Sequence, residues 1–199
     1  ERVDMQFQTN YNRTFGNHTI GATYVFERRE EKANWMNGER KFDFFTIGEL
    51  DNARESDQKV SGSSEHQAYL SHIGRLTYDY KGKYLFETNG RYDGSSKFPK
   101  KNRFGFFPSV SVGWNIAREN FMKPVAGDWL SDLKLRGTWG QIGNQGIDPY
   151  KFVPTMSQVE KKDVAWLVNG AKPLTLNAPG LVSDSFTWET VETLDFGFD

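Results

Sequence analysis

The sequence has no cysteine, no long apolar run and no surplus of charge of either sign. Without cysteine, its 199 residues can form neither a disulfide framework nor a cysteine-based metal site. No stretch approaches the ~18 consecutive apolar residues of a membrane-spanning helix, which excludes a helical membrane protein. The net charge of -1 provides no bulk attraction to nucleic acid, so we expect no nucleic-acid partner.

Catalytic patterns are equally scarce. His18, His66 and His72 lack the H-E-x-x-H spacing of a zinc site. The chain also contains neither a cysteine nucleophile nor a G-x-S-x-G elbow. The sequence therefore predicts a protein that is not an enzyme and that needs no cofactor and no metal.

What the chain does have is aromatic residues, 15% of the total, and long stretches in which apolar and polar side chains alternate. Alternation with period two is typical of β-strands, and no segment shows helical periodicity of comparable strength. The pattern predicts an all-β, antiparallel fold. Its seven strands are expected at about residues 2–11, 18–28, 67–80, 83–93, 104–116, 133–143 and 187–199.

The fourth strand illustrates the pattern. Even-numbered positions from Tyr84 to Tyr92 are largely apolar, and odd-numbered positions from Leu85 to Asp93 are largely charged or amide. Two kinds of fold accommodate strands with one apolar and one polar face: a soluble antiparallel sandwich with one buried face, and a membrane barrel with lipid outside and water inside. The polar faces carry charged residues that are candidates to line a passage or to contact another part of the protein, although a plain solvated wall is the favoured interpretation for any single one: Arg2, Asp4, Arg75, Asp79, Glu87, Arg136 and Asp195.

Three features favour the barrel. Aromatic residues such as Tyr84, Tyr92 and Trp114 stand near strand ends, as in the girdles at membrane interfaces. Strands of roughly 10–13 residues exceed the ~5–6 usual in soluble sheets. Short and long connections also alternate, as in outer-membrane barrels, although the connection 117–132 is longer than this rule predicts. A closed barrel needs an even number of at least about eight strands, so we expect further strands to complete it.

The long connections, predicted at 30–66 and 145–186, are expected on the extracellular side. Exposed aromatic rings there could stack on sugar rings or pack against a partner, and packing within the loops is the alternative. The candidate substrate- or partner-binding residues are Trp35, Phe42, Phe44, Phe45 and Trp166. The stretch RYDGSSKF, residues 91–98, is expected to begin at the outer rim and to be built mainly from turn chemistry.

Several long motifs follow one another between residues 91 and 144. The first is R-Y-D-G-S-S-x-F at residues 91–98, and the second is R-x-G-x-F-P-S-x-S-x-G-W at 103–114. The third is L-K-L-R-x-x-x-G at 133–140, with G-N at 143–144. In this order and spacing, the motifs closely resemble the SusC/RagA family of TonB-linked outer-membrane transporters. The motif residues to which we assign a structural role are Arg91, Asp93, Gly94, Ser95, Ser96, Phe98, Arg103, Pro108, Trp114, Gly143 and Asn144.

This resemblance implies a bacterial outer-membrane barrel that imports oligomeric nutrients, glycans or peptides, with energy delivered through TonB. It also implies an N-terminal plug and a SusD-like surface lipoprotein that caps the barrel. Residues 1–199 would then be part of the barrel domain, without the plug and the C-terminal strands. A passive pore or scaffold barrel, and a soluble carbohydrate-binding sandwich, are the alternative functions.

Overall fold

The computed structural model describes residues 1–44, 47–54, 56, 58–122, 124, 130, 132–159, 163 and 166–199. These residues form one seven-stranded sheet in which each strand pairs antiparallel with the next along the chain. The strands are β1 (Arg2–Phe15), β2 (His18–Glu39), β3 (Lys59–Tyr80), β4 (Tyr84–Ser95), β5 (Phe104–Asn115), β6 (Lys134–Asn144) and β7 (Glu189–Phe198). The described parts of the connections contain three short 3-10 helices, Leu50–Asn52, Lys100–Asn102 and Ile116–Arg118.

The single sheet confirms the all-β prediction and contradicts the sandwich alternative, which requires two sheets packed face to face. Few of the described side chains are buried, and large apolar residues such as Phe106 and Leu194 are about 60% exposed. Among the described residues, the sheet therefore has no extensive apolar core. No helix among the described residues is long and apolar enough to cross a membrane.

The strand register aligns aromatic residues in two rows on one face, which we call the outward face. The first row lies near the short turns and includes His18, Tyr80, Tyr84 and Trp114, which are successive cross-strand partners. The second row has the successive partners Phe7, Phe26, His72, Tyr92 and Phe106. These rows correspond to the aromatic girdles that the sequence predicts.

The spacing of the two rows fits a membrane. Tyr84 and Tyr92 are eight residues apart on β4, which corresponds to about 26 Å along the strand. A tilt of about 40° reduces this to a height of about 20 Å, close to the ~25 Å apolar band of outer-membrane barrels. The outward face between the rows therefore has the height of a bilayer's apolar region.

The opposite face, which we call the inward face, is polar across all seven strands. One row consists of the successive partners Asn10, Thr23, Arg75, Asn89, Ser109, Gly140 and Thr193. The seven charged residues that are candidates to line a passage all lie on this face, as their cross-strand partners show. Outward apolar and inward polar residues are the arrangement expected for a barrel wall rather than for a soluble domain.

The predicted bounds of β2 and β3 were too short. Each strand has 22 residues, so the connection between them covers 40–58 and not 30–66. Beyond Phe26 the outward face of β2 carries Arg28, Glu30 and Lys32, which leaves both faces polar and removes the periodicity that reveals a strand. Backbone pairing with β3 nevertheless continues to Glu39.

Short and long connections lie at opposite ends of the sheet, as predicted. One end, the turn end, has Gly16-Asn17 between β1 and β2, residues 81–83 between β3 and β4, and the longer connection 116–133. The other end, the outer rim, has connections 40–58, 96–103 and 145–188. The Asp79 carboxylate accepts the Gly82 N–H at 2.6 Å and thereby fixes the tight turn after β3.

Candidate functional site

Charged side chains on the inward face are paired across neighbouring strands. Asp4 accepts hydrogen bonds from the Nε atoms of Arg2, at 2.8 Å, and Arg29, at 2.7 Å. Next to it, the Gln6 amide donates to Glu27 at 3.2 Å. Because these groups are about half exposed, each pair contributes only about 0–1 kcal/mol to stability. Their main effect is to give the inner wall a fixed pattern of charges.

A second polar network lies deeper in the inward face. The Arg75 guanidinium donates to Glu87 at 2.6 Å, and the Asn89 amide donates to Glu87 at 3.0 Å and to the Ser109 hydroxyl at 3.3 Å. The network joins β3, β4 and β5 through side chains as well as through the backbone ladder. The inner wall between these strands is therefore hydrophilic at the height of the membrane.

The RYDGSSKF stretch crosses the outer rim and is fixed by hydrogen bonds. The Arg91 guanidinium donates to both carboxylate oxygens of Asp93, at 3.1 and 3.3 Å. Ser96 donates its N–H to the carbonyl of Ala68, and its hydroxyl accepts the Ala68 N–H, both at 2.9 Å. This exchange extends the pairing of β3 beyond the end of β4. The segment thus has the turn chemistry that the sequence predicts.

The motif residue Arg103 has the structural role that the sequence analysis assigns to it. Its Nε donates to the Phe98 carbonyl at 3.2 Å, and its own carbonyl accepts the Ser95 N–H at 3.0 Å. It therefore closes the loop 96–103 through the backbone. Arg91 and Asp93 form an ion pair at this rim.

A small aromatic core lies beneath this loop. Phe98 is 1% exposed, and its ring lies 5.3 Å from that of Trp188, which in turn lies 5.4 Å from that of Phe107. The Trp188 indole donates to the Arg103 carbonyl at 2.9 Å. A Cβ atom at Gly143 would overlap the Phe107 ring, so only glycine allows β6 to approach this closely.

The sequence reasoning missed the role of Trp188. The only available signal was its position near the start of the predicted strand 187–199, because its partners are about 80 to 90 residues distant along the chain. Asn144, predicted as a motif residue, lies on β6 next to this core. Its amide donates to Glu189 at 2.9 Å, and its side-chain oxygen accepts the Gly146 N–H at 3.1 Å. It therefore connects the ends of β6 and β7 at the rim.

The inner wall and the rim together border a pocket of about 790 Å³. Asp4, Glu27, Arg29 and Arg91 line its charged side, and Trp188 lies at its border with the aromatic core. Charged groups next to an aromatic surface can bind polar oligomers of several chemical classes. Among the described residues, no three histidine or acidic side chains are grouped closely enough to hold a metal ion.

The five predicted binding aromatics do not form one group of loop residues. Trp35 lies on β2 and not in a loop, which corrects the prediction, and it is 58% exposed. Phe44 is exposed and Phe42 is half-buried in the connection 40–58, whereas Trp166 is exposed in the connection 145–188. Phe45 lies outside the described residues.

At the turn end, the sequence reasoning missed Glu119, for which no pattern gave a signal. Its carboxylate accepts hydrogen bonds from the Lys83 ammonium at 2.8 Å, the Tyr84 hydroxyl at 2.6 Å and the Trp114 indole at 3.3 Å. These donors, Lys83 first, lower the pKa of Glu119 to about 2. The motif residue Trp114 is thus part of a membrane-interface cluster. Pro108, by contrast, is opposite Gly90 on the outward face.

Comparison with known proteins agrees with this arrangement. The whole chain, residues 1–199, matches the family of TonB dependent receptor-like β-barrels. The chain belongs to the TonB-dependent receptor family. Members of this family are outer-membrane transporters of Gram-negative bacteria, and the predicted resemblance to SusC/RagA proteins is confirmed.

Two curated relatives of this TonB-dependent receptor chain show how much of a protein it represents. It is 33% identical over 193 residues to TonB-dependent receptor P3 of Formosa agariphila, covering 95% of this chain and 18% of the relative. It is 41% identical over 134 residues to TonB-dependent receptor SusC of Bacteroides thetaiotaomicron, covering 65% of this chain and 13% of the relative. The chain therefore spans less than a fifth of the length of either.

Solved structures share the fold. The RagAB peptide transporter superimposes with a TM-score of 0.82 at 20% sequence identity, covering 99% of this chain and 21% of the matched chain. The "closed-closed" state of the RagAB peptide importer gives the same values. At this identity the likeness concerns the fold alone, and it identifies the sheet as part of a barrel wall.

Proposed function

We propose that residues 1–199 form part of the barrel wall of a TonB-dependent outer-membrane importer of oligomeric nutrients, glycans or peptides. The observation that carries the proposal is the division of one sheet into an outward apolar face with two aromatic rows and an inward polar face. Membership in the TonB-dependent receptor family supports active import over a passive pore or scaffold. In this function the chain itself carries out no chemical reaction.

The proposal includes a SusD-like surface lipoprotein seated on the outer rim. Support comes from the relatives, one named SusC and others solved as the RagAB complex. Exposed aromatic residues at the rim, Trp35, Phe44 and Trp166, have the chemistry of contact residues for such a partner or for cargo. Phe42 and Phe45 belong to the same proposed group. The plug and the TonB contact would be supplied by the remainder of the protein.

In the proposed function, the rim and the inner wall have different roles. The lipoprotein and the rim would hold cargo above the barrel, and TonB acting on the plug would open the path along the inward face. The inner wall, with its paired charges, would provide a hydrophilic surface that binds cargo weakly at any one point. Release into the periplasm requires such weak binding, because cargo must be able to leave each binding position along the path.

The experiment uses the full-length protein in its native outer membrane. It is solubilised in detergent and purified, and every co-purifying chain is identified with its stoichiometry. In parallel, cells take up fluorescently labelled oligosaccharides or oligopeptides with and without a protonophore. A stoichiometric lipoprotein and uptake abolished by the protonophore are expected. A lone barrel whose uptake continues without the proton gradient contradicts active import and establishes the passive pore.

A further inference from the structure

The hairpin of β2 and β3 extends well beyond its neighbour β4. The last pair between β3 and β4 is Tyr69 with Ser95, whereas β3 begins at Lys59. Ten residues of β3 therefore continue past the last ladder pair, which is about 33 Å of strand. Because this part lies at the outer rim, one edge of β3 leaves the barrel wall and enters the extracellular space.

The hydrogen bonds determine which backbone groups face that edge. His66 exchanges bonds with the Tyr150 hydroxyl, which accepts its N–H at 2.8 Å and donates to its carbonyl at 2.9 Å. Its cross-strand partner Lys32 bonds in the opposite direction, to the backbone of Glu1. Lys32 and His66 therefore form a non-hydrogen-bonded pair between β2 and β3. Because such pairs alternate with hydrogen-bonded pairs in an antiparallel ladder, every second residue of β3 from His66 towards Lys59 directs its N–H and C=O groups away from β2.

Those residues are Val60, Gly62 and Ser64, and we call the segment Val60–Ser64 the open edge. Closer to the barrel wall, other parts of the chain hydrogen-bond to the same edge of β3: Ser96 bonds to the backbone of Ala68, and Tyr150 bonds to the backbone of His66. Within the part of the chain that the structure describes, nothing pairs with the three residues of the open edge. The strand therefore presents three N–H and three C=O groups in a straight row.

The open edge lacks the features with which proteins usually protect an edge strand. Its sequence, Val-Ser-Gly-Ser-Ser, contains no charge and no proline, and its pairing with β2 is continuous. Val60 is 74% exposed and lies on the same face as Met36, which is 83% exposed. Gly62 is the cross-strand partner of Met36 and lies two residues from Val60 on β3. Because Gly62 has no side chain, a residue of an added strand placed opposite it could contact both apolar side chains.

We propose that the open edge binds an extended segment of the surface lipoprotein, which adds to the sheet as an extra β-strand beside β3. Donors and acceptors alternating at the two-residue repeat of about 6.8 Å match another polypeptide backbone. The position favours a partner seated above the barrel over cargo, because the strip is an edge of a projecting hairpin and not part of the inward face. The inference rests on the proposed function, since the lipoprotein is its partner.

Hydrogen exchange tests the pairing at the level of single amides. The full-length transporter is compared with and without its lipoprotein, using fragmentation that resolves individual residues. Pairing is expected to slow exchange at Val60, Gly62 and Ser64 by about tenfold or more. Ser61 and Ser63 already donate to β2 and serve as internal controls, because their exchange is expected to be slow in both samples.

The possible results separate this inference from the proposed function. If no lipoprotein binds, the proposed function fails and the pairing fails with it. If the lipoprotein binds but the three amides still exchange rapidly, only the pairing is refuted. Protection already present in the lone transporter also refutes it, because another part of the same protein then covers the open edge.

Two substitutions at Ser64 provide a matched pair of variants. Ser64→Pro removes the N–H that faces the open edge but leaves the bonds to β2 intact. Ser64→Ala removes only the hydroxyl. Loss of one backbone hydrogen bond is expected to weaken lipoprotein binding about fivefold in the proline variant, with affinity unchanged in the alanine variant. Equal affinity of both variants and the wild type would contradict the pairing.

Discussion

At Glu119, one carboxylate accepts hydrogen bonds from three side chains that belong to different parts of the turn end. Tyr84 and Trp114 lie in the aromatic row at the membrane interface, where such residues usually bond to water or lipid headgroups. In this protein their polar atoms bond to a protein carboxylate. The 3-10 helix Ile116–Arg118 is thereby attached to β4 and β5.

The low pKa of Glu119 makes this attachment sensitive to acid. Its pKa in the folded protein, about 2, lies below the ordinary value of 4.5, so the stabilisation is fully present above pH 4.5. It is lost progressively as the pH falls towards 2. In Glu119→Gln this contribution is absent at every pH. The urea midpoint of the full-length barrel should therefore differ between wild type and variant at pH 7, and the difference should shrink as the pH is lowered to 3.

One result would contradict the depressed pKa of Glu119. A difference in midpoint that stays constant between pH 7 and pH 3 would show that the Glu119 carboxylate does not titrate with a depressed pKa. Glu192 provides a comparison, because its carboxylate accepts one hydrogen bond from the Trp139 indole on the outward face. Glu192→Gln distinguishes the loss of the three-donor cluster from the general effect of removing a carboxylate that accepts a hydrogen bond from an outward-facing tryptophan.

At the scale of the strand, the two sides of β4 should respond oppositely to charge. Thr88 lies midway between the two aromatic rows on the outward face, and Asn89 follows it on the inward face. Arginine on the lipid side near the bilayer midplane costs about 2–4 kcal/mol. Thr88→Arg should therefore make the free energy of folding into lipid bilayers less favourable by this amount, and Asn89→Arg should change it far less.

Folding of the full-length protein into vesicles, followed over a urea series, measures both variants. The two positions are neighbours on one strand, so a general effect of added charge would appear in both. A larger loss for Asn89→Arg than for Thr88→Arg would reverse the assignment of the faces. Similar losses in both variants would contradict the assignment of one lipid face and one polar face to β4.

The strands that the sequence predicts best are those with one apolar face. In β4 and β5 the predicted and observed bounds differ by two residues at most, because lipid contact requires apolar side chains at every second position. The upper halves of β2 and β3 were read as loop, since a hairpin that has left the membrane has no face to keep apolar. Their extension depends on backbone pairing, which leaves little trace in composition.

Within the candidate site, the turn residues were predictable from the sequence, whereas the aromatic core was not. Turn residues such as Asp93, Ser95 and Ser96 have local chemistry that can be read from neighbouring positions. The packing of Trp188 on Phe98 and Phe107 joins distant parts of the chain, and no local pattern records it. The ring of Phe107 also faces inward within an otherwise small and polar face of β5, which period-two reading alone does not explain.

For the whole molecule, one curved sheet with a lipid face, a polar face and two unlike ends accounts for most of the sequence. Its apolar residues are exposed because their partner is lipid rather than a protein core. Its short turns and its projecting hairpin lie at opposite ends of the sheet, which is the arrangement that the proposed importer with an extracellular partner requires. Under that proposal, specificity would depend on the rim and on the rest of the protein.

Residue-by-residue labelling along β4 tests this assignment of faces. The chain has no cysteine of its own, so single cysteines can be introduced from position 84 to 93 in the full-length protein and spin-labelled in outer-membrane vesicles. Even positions should respond to lipid-soluble oxygen and odd positions to a water-soluble nickel relaxant, with a strict two-residue period. Access of the nickel relaxant to both faces, or the opposite phase, would contradict a barrel wall with this orientation.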